Sequence, residues 1–277
     1  MIELKQDEWS LVEHLFDANK RNRCWIDATF NGYFDGTHDA DLPPQIQVWV
    51  DDRDAPKLAQ LKSDEFRLFA GDRQSPEVAS ICASMPPLGP VPPWNEDFTG
   101  ALLLPEDDGW ARAFRANVTR STTTMRLKVY SSASLDVEHL ESLVSTLPAG
   151  HELRRFDREM ALRRGIKPDR ARLAYVRLER FFDREGLSFW ILKDGERVSE
   201  ATSYGVTETA IDVGIGTEEG HEGKGLATVV GAALLLATIE AGKDPKWFTV
   251  ENPRSDGLAQ KLGYTLDDEF DLIGFRD

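Results

Sequence analysis

The residues with the clearest chemical potential lie between Ala210 and Thr228. An apolar run, Ile211 to Thr217, leads into a loop with glycines at positions 220, 223 and 225, and a long apolar stretch follows at once. This order predicts a strand, a glycine loop and the first turn of a helix. Unpaired backbone N–H groups at a helix start attract anions, and glycine lets an anion approach the backbone closely. The sequence therefore predicts an anion site at this loop.

The spacing of the glycines disfavours two common phosphate motifs. A dinucleotide loop needs G-x-G-x-x-G, but its third glycine would fall at Glu219 or at Thr228, depending on the starting glycine. A P-loop needs Ser or Thr after its Gly-Lys pair, whereas Lys224 is followed by Gly225. A nucleotide-binding enzyme of either type is accordingly disfavoured.

A second block of residues follows the apolar stretch. Asn252 precedes a proline, Ser255 lies three residues further on, and Leu262-Gly-Tyr264 closes the segment. Asparagine before proline is typical of a helix N-cap, and a glycine such as Gly263 is typical of a helix end. Together with the loop, this block resembles the GNAT-type N-acetyltransferases, in the subgroup that carries an N-terminal α/β region. The resemblance covers roughly residues 175–270 and extends more weakly back to about 150.

The resemblance implies an α/β (α+β) fold. We expect a GNAT-like mixed, mostly antiparallel central sheet flanked by helices, preceded by a smaller N-terminal α/β domain. The proline and glycine of Leu147-Pro-Ala-Gly150 predict a turn, and we place the domain boundary there, between residues 1–147 and residues 148–277. No motif with an evident chemical role lies in the N-terminal part.

The resemblance also implies acetyl-coenzyme A as the donor. The loop N–H groups would hold its pyrophosphate, the strand edge would pair with the pantetheine arm, and a strand N–H would face the thioester carbonyl. Side chains of the following helices would add contacts, although capping alone also explains Asn252. The predicted cofactor-binding residues are Val213, Ile215, Gly220, His221, Gly223, Lys224, Gly225, Leu226, Thr228, Asn252 and Ser255.

The proton-transfer groups are less clearly marked. Glu200 and Asp212 are the candidate general bases, because both lie on strands beside the expected thioester. Many relatives place a tyrosine general acid where this chain has Ala259, and Tyr264 is predicted to be a core aromatic residue. The missing acid need not prevent catalysis, since a free thiol has a pKa of about 8.5 and its thiolate can leave near neutral pH. Glu208 and Glu251 are further options for the base.

Two functions remain open. The first is direct transfer of an acetyl group to a primary amine, with a cationic acceptor favoured by the acids between Glu185 and Glu222. The second is an acyl-CoA sensor or interaction module that is weak or inactive as a catalyst. It is supported by Gly220 and Glu222, where basic or polar residues are expected beside a pyrophosphate, and by Ala259.

Composition limits the partners. The 277 residues carry a formal net charge of −15, which argues against nucleic acid and anionic membranes. No signal peptide is recognised at the start, and the apolar stretch Leu226 to Ile239 is shorter than the roughly 20 residues of a membrane span. The spacing of Cys24 and Cys82 matches no metal-binding motif, so we expect reduced thiols and no bound metal. We expect the protein to be cytoplasmic and to be a monomer or a dimer.

The elements that must position the site can be predicted in part. Leu187–Leu192 and Arg197–Tyr204 flank Asp194-Gly195 and predict a hairpin, so three antiparallel strands precede the glycine loop. His151–Leu162 is predicted as a strand, and Pro168–Arg184 as one or two basic amphipathic helices.

The N-terminal part reads as a mixed α/β region. Residues 9–20 and 136–147 have helical spacing, and residues 46–50, 65–69 and 125–130 have the pattern of strands. The proline-rich segment Met85–Trp94 predicts an extended loop, and Asp35–Asp41 predicts a polar turn. No internal sequence repeat is evident.

Overall fold

The structure is a computed structural model that describes residues 1–34, 46–63, 66–85, 102–118, 121–169, 171–173 and 176–275. Its contacts divide the chain into two compact units. The first comprises Met1–Leu127 and Glu269–Asp277, and the second comprises Lys128–Asp268. The boundary predicted after residue 147 therefore falls inside the second unit, because Leu140 and its neighbours on the preceding helix pack into that unit's core.

The first unit is built on a mixed sheet. Its strands lie in the order β1-β2-β3-β4-β5-β14, and the given pairs are antiparallel except for β4 and β5, which are parallel. In chain order the elements are β1 (Ile2–Leu4), two 3-10 helices (Gln6–Leu11 and Glu13–Phe16), α1 (Arg23–Phe30), β2 (Gln47–Val50), β3 (Leu58–Lys62), β4 (Phe66–Gly71), α2 (Pro76–Ser84), β5 (Leu102–Leu104), α3 (Asp108–Asn117) and β6 (Thr122–Ser131); β14 is Thr265–Phe275.

Capping and aromatic packing hold the helices of the first unit in place. The Asp107 side chain caps α3 by accepting a hydrogen bond from the Trp110 N–H at 2.8 Å. Behind this cap, the rings of Trp110 and Phe114 pack against Phe69 with centroid separations of 5.8 and 5.1 Å. The three rings form the centre of a buried apolar cluster between the sheet and the helices.

The second unit has its own mixed sheet. The strand order is β7-β10-β11-β12-β13-β6, in which β12 and β13 are parallel and the pairs β7/β10, β10/β11 and β11/β12 are antiparallel. In chain order the elements are α4 (Val137–Val144), β7 (His151–Arg155), α5 (Arg158–Arg163), the short pair β8 (Arg172–Leu173) and β9 (Val176–Arg177), α6 (Leu178–Asp183), β10 (Ser188–Lys193), β11 (Glu196–Val206), β12 (Ala210–Thr217), α7 (Leu226–Glu240), β13 (Asp244–Val250) and α8 (Pro253–Leu262).

The predicted hairpin and central helix are confirmed. Asp194 and Gly195 join β10 and β11 with φ angles of 51° and 85°, as a tight turn with two positive φ angles requires. Helix α7 is apolar on nearly every side, and Val229, Leu234 and Leu235 are completely buried. These features position the end of β12 and the start of α7, which bound the glycine loop.

The two units share one order of elements, although no sequence repeat is evident. Each has a first strand, helices, three antiparallel strands, a helix, a strand parallel to the third, a helix and a final strand. The final strands are exchanged: β6 follows α3 in the chain but lies beside β13, whereas β14 follows α8 but lies beside β5. The repeat is one of topology alone, so sequence patterns did not reveal it.

Three predicted elements were wrong in part. In place of one helix over residues 9–20, the chain forms two 3-10 helices, Gln6–Leu11 and Glu13–Phe16, which are interrupted at Val12 with φ −120°. The strand predicted over His151–Leu162 ends at Arg155, because the Asp157 side chain caps α5 by accepting from the Met160 N–H at 2.8 Å. In the segment Pro168–Arg184, only α6 is α-helical among the described residues.

Some sequence predictions fall outside the described residues, among them the polar turn Asp35–Asp41 and most of the proline-rich segment Met85–Trp94. In the part of the chain that the structure describes, none of the helices has the length and apolar character needed to cross a membrane. The same described part contains no group of His, Cys, Asp and Glu that could hold a metal ion. Cys24 and Cys82 are free and buried, and burial raises the pKa of the Cys82 thiol to about 11.

Candidate active site

The main feature of the second unit is a cleft between two parallel strands. β12 and β13 pair only through Ala210–Asp212 and Asp244–Lys246, although both strands continue beyond these residues. Beyond Asp212 the edge of β12 that faces β13 is therefore left without a strand partner in this region, where every residue is described. An unpaired edge offers backbone N–H and C=O groups to an extended ligand.

The alternation of the strand decides which groups face the cleft. The Thr209 carbonyl accepts a hydrogen bond from the Asp244 N–H at 2.8 Å, so it points towards β13. The Glu218 N–H donates to the Val198 carbonyl at 3.0 Å, so it points towards β11. Backbone groups of successive strand residues point to opposite sides, which turns the N–H and C=O of Val213 and Ile215 towards the cleft.

The side chains of Val213 and Ile215 have a separate, structural role. Both pack against the buried cluster that contains α7 and Trp247. Gly231 of α7 allows this close approach, since an added Cβ there would lie 2.7 Å from the Cδ1 atom of Ile215. The two side chains are therefore partly buried by packing, while the backbone of these two predicted site residues faces the cleft.

The glycine loop has the conformation that its sequence indicates. Gly220, Gly223 and Gly225 have φ angles of 78°, 72° and 80°, which side-chain-bearing residues rarely adopt. An added Cβ at each would meet no atom within 4 Å, so the space beside the loop is open. Gly225 is also the N-cap of α7, and no side chain caps that helix. The first-turn N–H groups, from Leu226 onwards, are therefore available to an anion.

The charges around the loop suit an anion better than the sequence suggests. Lys224 Nζ donates to the Gly220 carbonyl at 2.6 Å, which keeps its positive charge beside the loop. The Glu222 carboxylate is paired with Arg254 of α8 at 3.3 Å, so its negative charge is partly offset. Arg254 was not recognised in the sequence, because it approaches the loop only through the packing of α8.

Two predicted loop residues contribute in ways that the sequence left open. Desolvation, followed by the positive charges of Lys224 and Lys193, lowers the pKa of His221, so this side chain is neutral near pH 7. Thr228 lies in the first turn of α7, as expected, but its side chain is buried. We therefore assign to Thr228 a backbone N–H at the helix start and no exposed hydroxyl.

The predicted cap at the start of α8 is present. The Ser255 N–H donates to Asn252 Oδ1 at 3.2 Å, Pro253 occupies the first helical turn, and Gly263 ends the helix with φ 106°. The Ser255 hydroxyl accepts from Trp247 Nε1 at 3.2 Å. Both polar side chains thus have structural partners, and capping accounts for Asn252 without a ligand.

Glu200 is the better placed of the two candidate bases for proton transfer. It lies on β11 opposite Gly216 of β12 and forms an ion pair with Arg197, which also pairs with Glu218 at 3.0 Å. Burial raises the pKa of Glu200 from its ordinary value, while the charge and hydrogen bond of Arg197 oppose the rise. A carboxyl with a raised pKa and partial exposure is suited to accept a proton.

Asp212 lies at the point where β12 and β13 separate. Its residue is only 7% exposed, and its register partners are Gly205 on β11 and Lys246 on β13. Cross-strand neighbours share a face of a sheet, so Asp212 and Glu200 both lie on the face opposite α7. The structure brings the two carboxylates to one face, at different positions along the cleft.

Tyr204 is a candidate site residue that sequence reasoning missed. Its ring covers Gly214 on β12: an added Cβ at Gly214 would lie 2.2 Å from the ring. The register of β11 against β12 is irregular between Ser203 and Gly205, and Tyr204 lies at this irregularity. No local sequence signal marks such an irregularity, so its position could not be predicted.

A family model describes the chain as a GNAT acetyltransferase, matching residues 46–273. This match covers most of the sequence. The chain is a GNAT acetyltransferase. It is thereby an acyltransferase enzyme, and the resemblance noted in its motifs is confirmed. No curated protein sequence matches it.

Solved structures support the same fold for this GNAT acetyltransferase. A GCN5-related N-acetyltransferase-like protein from Streptococcus suis is 24% identical, with a TM-score of 0.69, and 98% of this chain aligns with 99% of that one. A tandem GNAT protein from the clavulanic acid biosynthesis pathway is 14% identical, with a TM-score of 0.58 and coverage of 98% and 96%. An acetyltransferase from Colwellia psychrerythraea is 11% identical, with a TM-score of 0.56 and coverage of 99% and 97%.

The GNAT acetyltransferase lacks the expected tyrosine on α8. Ala259 is completely buried in the core beside Tyr264, so the position has no access to a leaving group. Tyr264 is itself buried and donates to the Pro245 carbonyl at 3.0 Å. Burial raises the pKa of Tyr264 well above its ordinary value. The prediction that Tyr264 is a core aromatic residue is confirmed.

A partly buried polar network around Asp256 was not predicted from the sequence. The carboxylate of Asp256 accepts hydrogen bonds from Lys128 at 2.6 Å, from Tyr130 at 2.9 Å and from Thr249. Burial alone would raise the pKa of Asp256, but these donors outweigh it and the pKa is lowered. The network ties α8 to β6 and β13, on one wall of the cleft.

We expect Asp256→Asn to lower the free energy of unfolding by about 1–3 kcal/mol near pH 7, because it removes a charged acceptor from three donors. Because the pKa of Asp256 is lowered in the folded state, its ionised carboxylate stabilises the protein above the ordinary pKa of 3.8. This stabilisation is lost as the pH falls below that value. Urea unfolding should therefore show a constant deficit between about pH 7 and 5 and a smaller one below about pH 4. Exposed Asp267 provides the control, Asp267→Asn, and an equal deficit there would contradict the assignment.

Proposed function

We propose that this enzyme transfers the acetyl group of acetyl-coenzyme A to a primary amine by direct attack. The observation that carries the proposal is the opening between β12 and β13, which leads to three glycines with positive φ at an uncapped helix start. The loop N–H groups fit a pyrophosphate, and the β12 edge fits an extended amide-containing arm. Open space at each glycine supports this fit.

In the proposed reaction, different groups of the chain stabilise the oxyanion and accept the proton. The backbone N–H of Val213 faces the thioester carbonyl oxygen and stabilises the negative charge that develops there. Glu200 accepts a proton from the acceptor ammonium through ordered water, because its register partner Gly216 lies three residues from Val213, and the neutral amine then attacks the carbonyl carbon. The C–N bond forms, the nitrogen of the tetrahedral adduct loses its second proton to solvent, the C–S bond breaks, and the thiolate leaves and takes a proton from solvent. Tyr204 and Asp212 border the reacting atoms.

The proposal predicts two measurable results for the purified full chain. Acetyl-coenzyme A at about 1 mM should raise the melting temperature, since a ligand at about 100 times its Kd adds about 2.7 kcal/mol. A panel of primary amines should include at least one that accelerates thiol release. ATP and NAD serve as controls and should leave the melting temperature unchanged.

Two outcomes would redirect the proposal. Absence of any melting shift with acetyl-coenzyme A would remove the donor assignment. A shift without turnover for any amine would instead support the sensor or interaction module. The pairing of Glu222 with Arg254 weakens one argument for that module, because the loop's carboxylate does not stand alone.

For its partners, we propose a small-molecule or protein amine in the cytoplasm, with no nucleic acid and no membrane surface. The net charge of −15 supports this choice, since polyanions would be repelled. The acids between Glu185 and Glu222, from which a cationic acceptor was predicted, do not all lie on one surface. Glu185 and Glu208 lie at one end of the β10–β12 strands, while Glu196 and Glu218 lie at the other.

A further inference from the structure

An arginine pocket lies on the second unit, outside the donor cleft. Its volume is about 550 Å³, and it is formed by β7, α5 and the end of β10. Four arginines and one aspartate line it together with two apolar side chains: Arg154, Arg155, Arg163, Arg164, Asp157, Met160 and Leu192. Such an excess of positive charge is unexpected on a chain with a net charge of −15.

The positive charges of the pocket arginines are offset only weakly by nearby acids. Arg154 pairs with Glu152 and Arg163 with Glu159, in both cases as exposed surface pairs that contribute little stability. Arg155 makes no ion pair with any residue that the structure describes. The one acid of the pocket, Asp157, accepts the Met160 N–H as the cap of α5. The pocket therefore retains positive charge for an anion.

A tryptophan connects the pocket to the candidate base. The guanidinium groups of Arg164 and Arg197 lie over the Trp190 ring, 5.5 and 5.4 Å from its centroid. Arg197 in turn holds Glu200. Trp190 is 6% exposed, and its Nε1–H is buried without a hydrogen-bond partner in the described part of the chain. A buried donor without a partner is costly and often marks a place where a ligand or water completes the bond.

The strand register sets the distance between the pocket and the base. Arg154 of β7 pairs with Trp190 of β10, and Trp190 pairs with Glu200 of β11. Directly opposed residues share a face, so the three side chains form a row on the face opposite α7. Neighbouring strands lie about 4.8 Å apart, which places Arg154 and Glu200 about 10 Å apart across the sheet.

We propose that the acetyl acceptor carries a carboxylate or phosphate group in addition to its amine, and that the arginine pocket binds this group. The proposal rests on the proposed amine acetylation and names the class of its substrate. With the anionic group at the pocket, a molecule about 8–10 Å long reaches Glu200 with its amine. Binding of the anion then contributes specificity as well as affinity.

Three amines of equal chain length test this proposal. 6-Aminohexanoate, hexylamine and 1,6-diaminohexane carry an anionic, a neutral and a cationic end. We expect kcat/KM for 6-aminohexanoate to exceed that for hexylamine by about tenfold or more, with 1,6-diaminohexane the poorest, because charge-assisted hydrogen bonds form with only one of them. Equal values for the three would overturn the proposal. 6-Aminohexyl phosphate and 6-aminohexanol form a second pair of sufficient length that separates phosphate from carboxylate recognition.

Substitutions in the arginine pocket test whether it is the origin of the preference for 6-aminohexanoate. The double variant Arg155→Gln with Arg164→Gln should raise the ratio of KM for 6-aminohexanoate to KM for hexylamine about tenfold or more. Arg158→Gln is the matched control: Arg158 lies on the same helix, pairs with Asp183 at 2.6 Å and does not line the pocket. An equal rise in KM in the control, or for hexylamine, would show that the pocket is not the origin.

A direct binding measurement separates this proposal from the proposed function. In the ¹⁵N-labelled full chain without acetyl-coenzyme A, 6-aminohexanoate should shift the Trp190 indole N–H resonance saturably, whereas 1,6-diaminohexane should not. Trp190→Phe assigns the resonance, and the double variant should lose the shift. An absent shift, or one that the double variant retains, contradicts the pocket. Failure of the proposed function has another signature, namely no binding of acetyl-coenzyme A while the indole shift persists.

Discussion

Gly223→Asp should weaken acetyl-coenzyme A binding at least about 100-fold relative to Gly223→Asn. Gly223 has φ 72°, a region that Asp and Asn tolerate better than other side chains, and its added Cβ would meet open space. The two variants therefore share their backbone strain and differ by one negative charge beside the pyrophosphate. At about 4 Å and an effective dielectric constant of about 20, each pair of like charges costs about 4 kcal/mol.

Isothermal titration of acetyl-coenzyme A checks this expectation, and Gly242 supplies a matched control. Gly242 follows α7 with φ 71° and also has open space at its Cβ position, but it lies at the other end of the helix. Gly242→Asp should keep the affinity of the unmodified enzyme. Similar affinities for Gly223→Asp and Gly223→Asn would mean that the anion is not held at this loop.

The conformation of the glycine loop and of the helix after it could be predicted because the signals are local. A positive φ angle at Gly220, Gly223 and Gly225 follows from the residue type within one short loop, and α7 follows from an uninterrupted apolar stretch. The cap at Asn252 and the hairpin turn at Asp194 depend on similarly few neighbours. In each case the sequence separation of the interacting groups is small.

The proposed acceptor side depends on contacts that are distant in sequence. Arg254 reaches Glu222 across the helix packing, and Asp256 gathers its donors from β6 and β13. Tyr204 lies over Gly214 only because β11 has an irregular register at that point. Periodicity predicts that these strands exist but leaves their register open, so neither partner of a cross-strand pair can be identified.

The exchanged final strands show the same limitation at the level of topology. The pattern around Met125–Tyr130 predicted a strand, which is confirmed as β6, but nothing in that pattern identifies the sheet it joins. The partner of a strand is set by tertiary packing, here by Tyr130 and its neighbours in the core of the second unit.

Glu200→Gln should lower kcat/KM for the best amine about 100-fold at pH 7, because it removes the proposed proton acceptor while keeping the shape of the side chain. In the unmodified enzyme the base works when deprotonated, so activity should rise with pH through the pKa of Glu200. Burial raises that pKa above the ordinary 4.5. In a plot of kcat/KM against pH, the midpoint of the acidic limb should therefore lie above pH 4.5, and Glu200→Gln should remove this limb.

The partners of Glu200 make the assignment specific, since each should move the acidic limb in a known direction. The positive charge and hydrogen bond of Arg197 lower the pKa of Glu200, so Arg197→Gln should move the limb to higher pH. The negative charge of Glu218 raises it, so Glu218→Gln should move the limb to lower pH while activity at pH 7 is kept. Asp212→Asn offers the competing assignment. If Asp212→Asn abolishes the limb and Glu200→Gln does not, the base is Asp212 at the strand separation, and Glu200 serves only to hold Arg197 over Trp190.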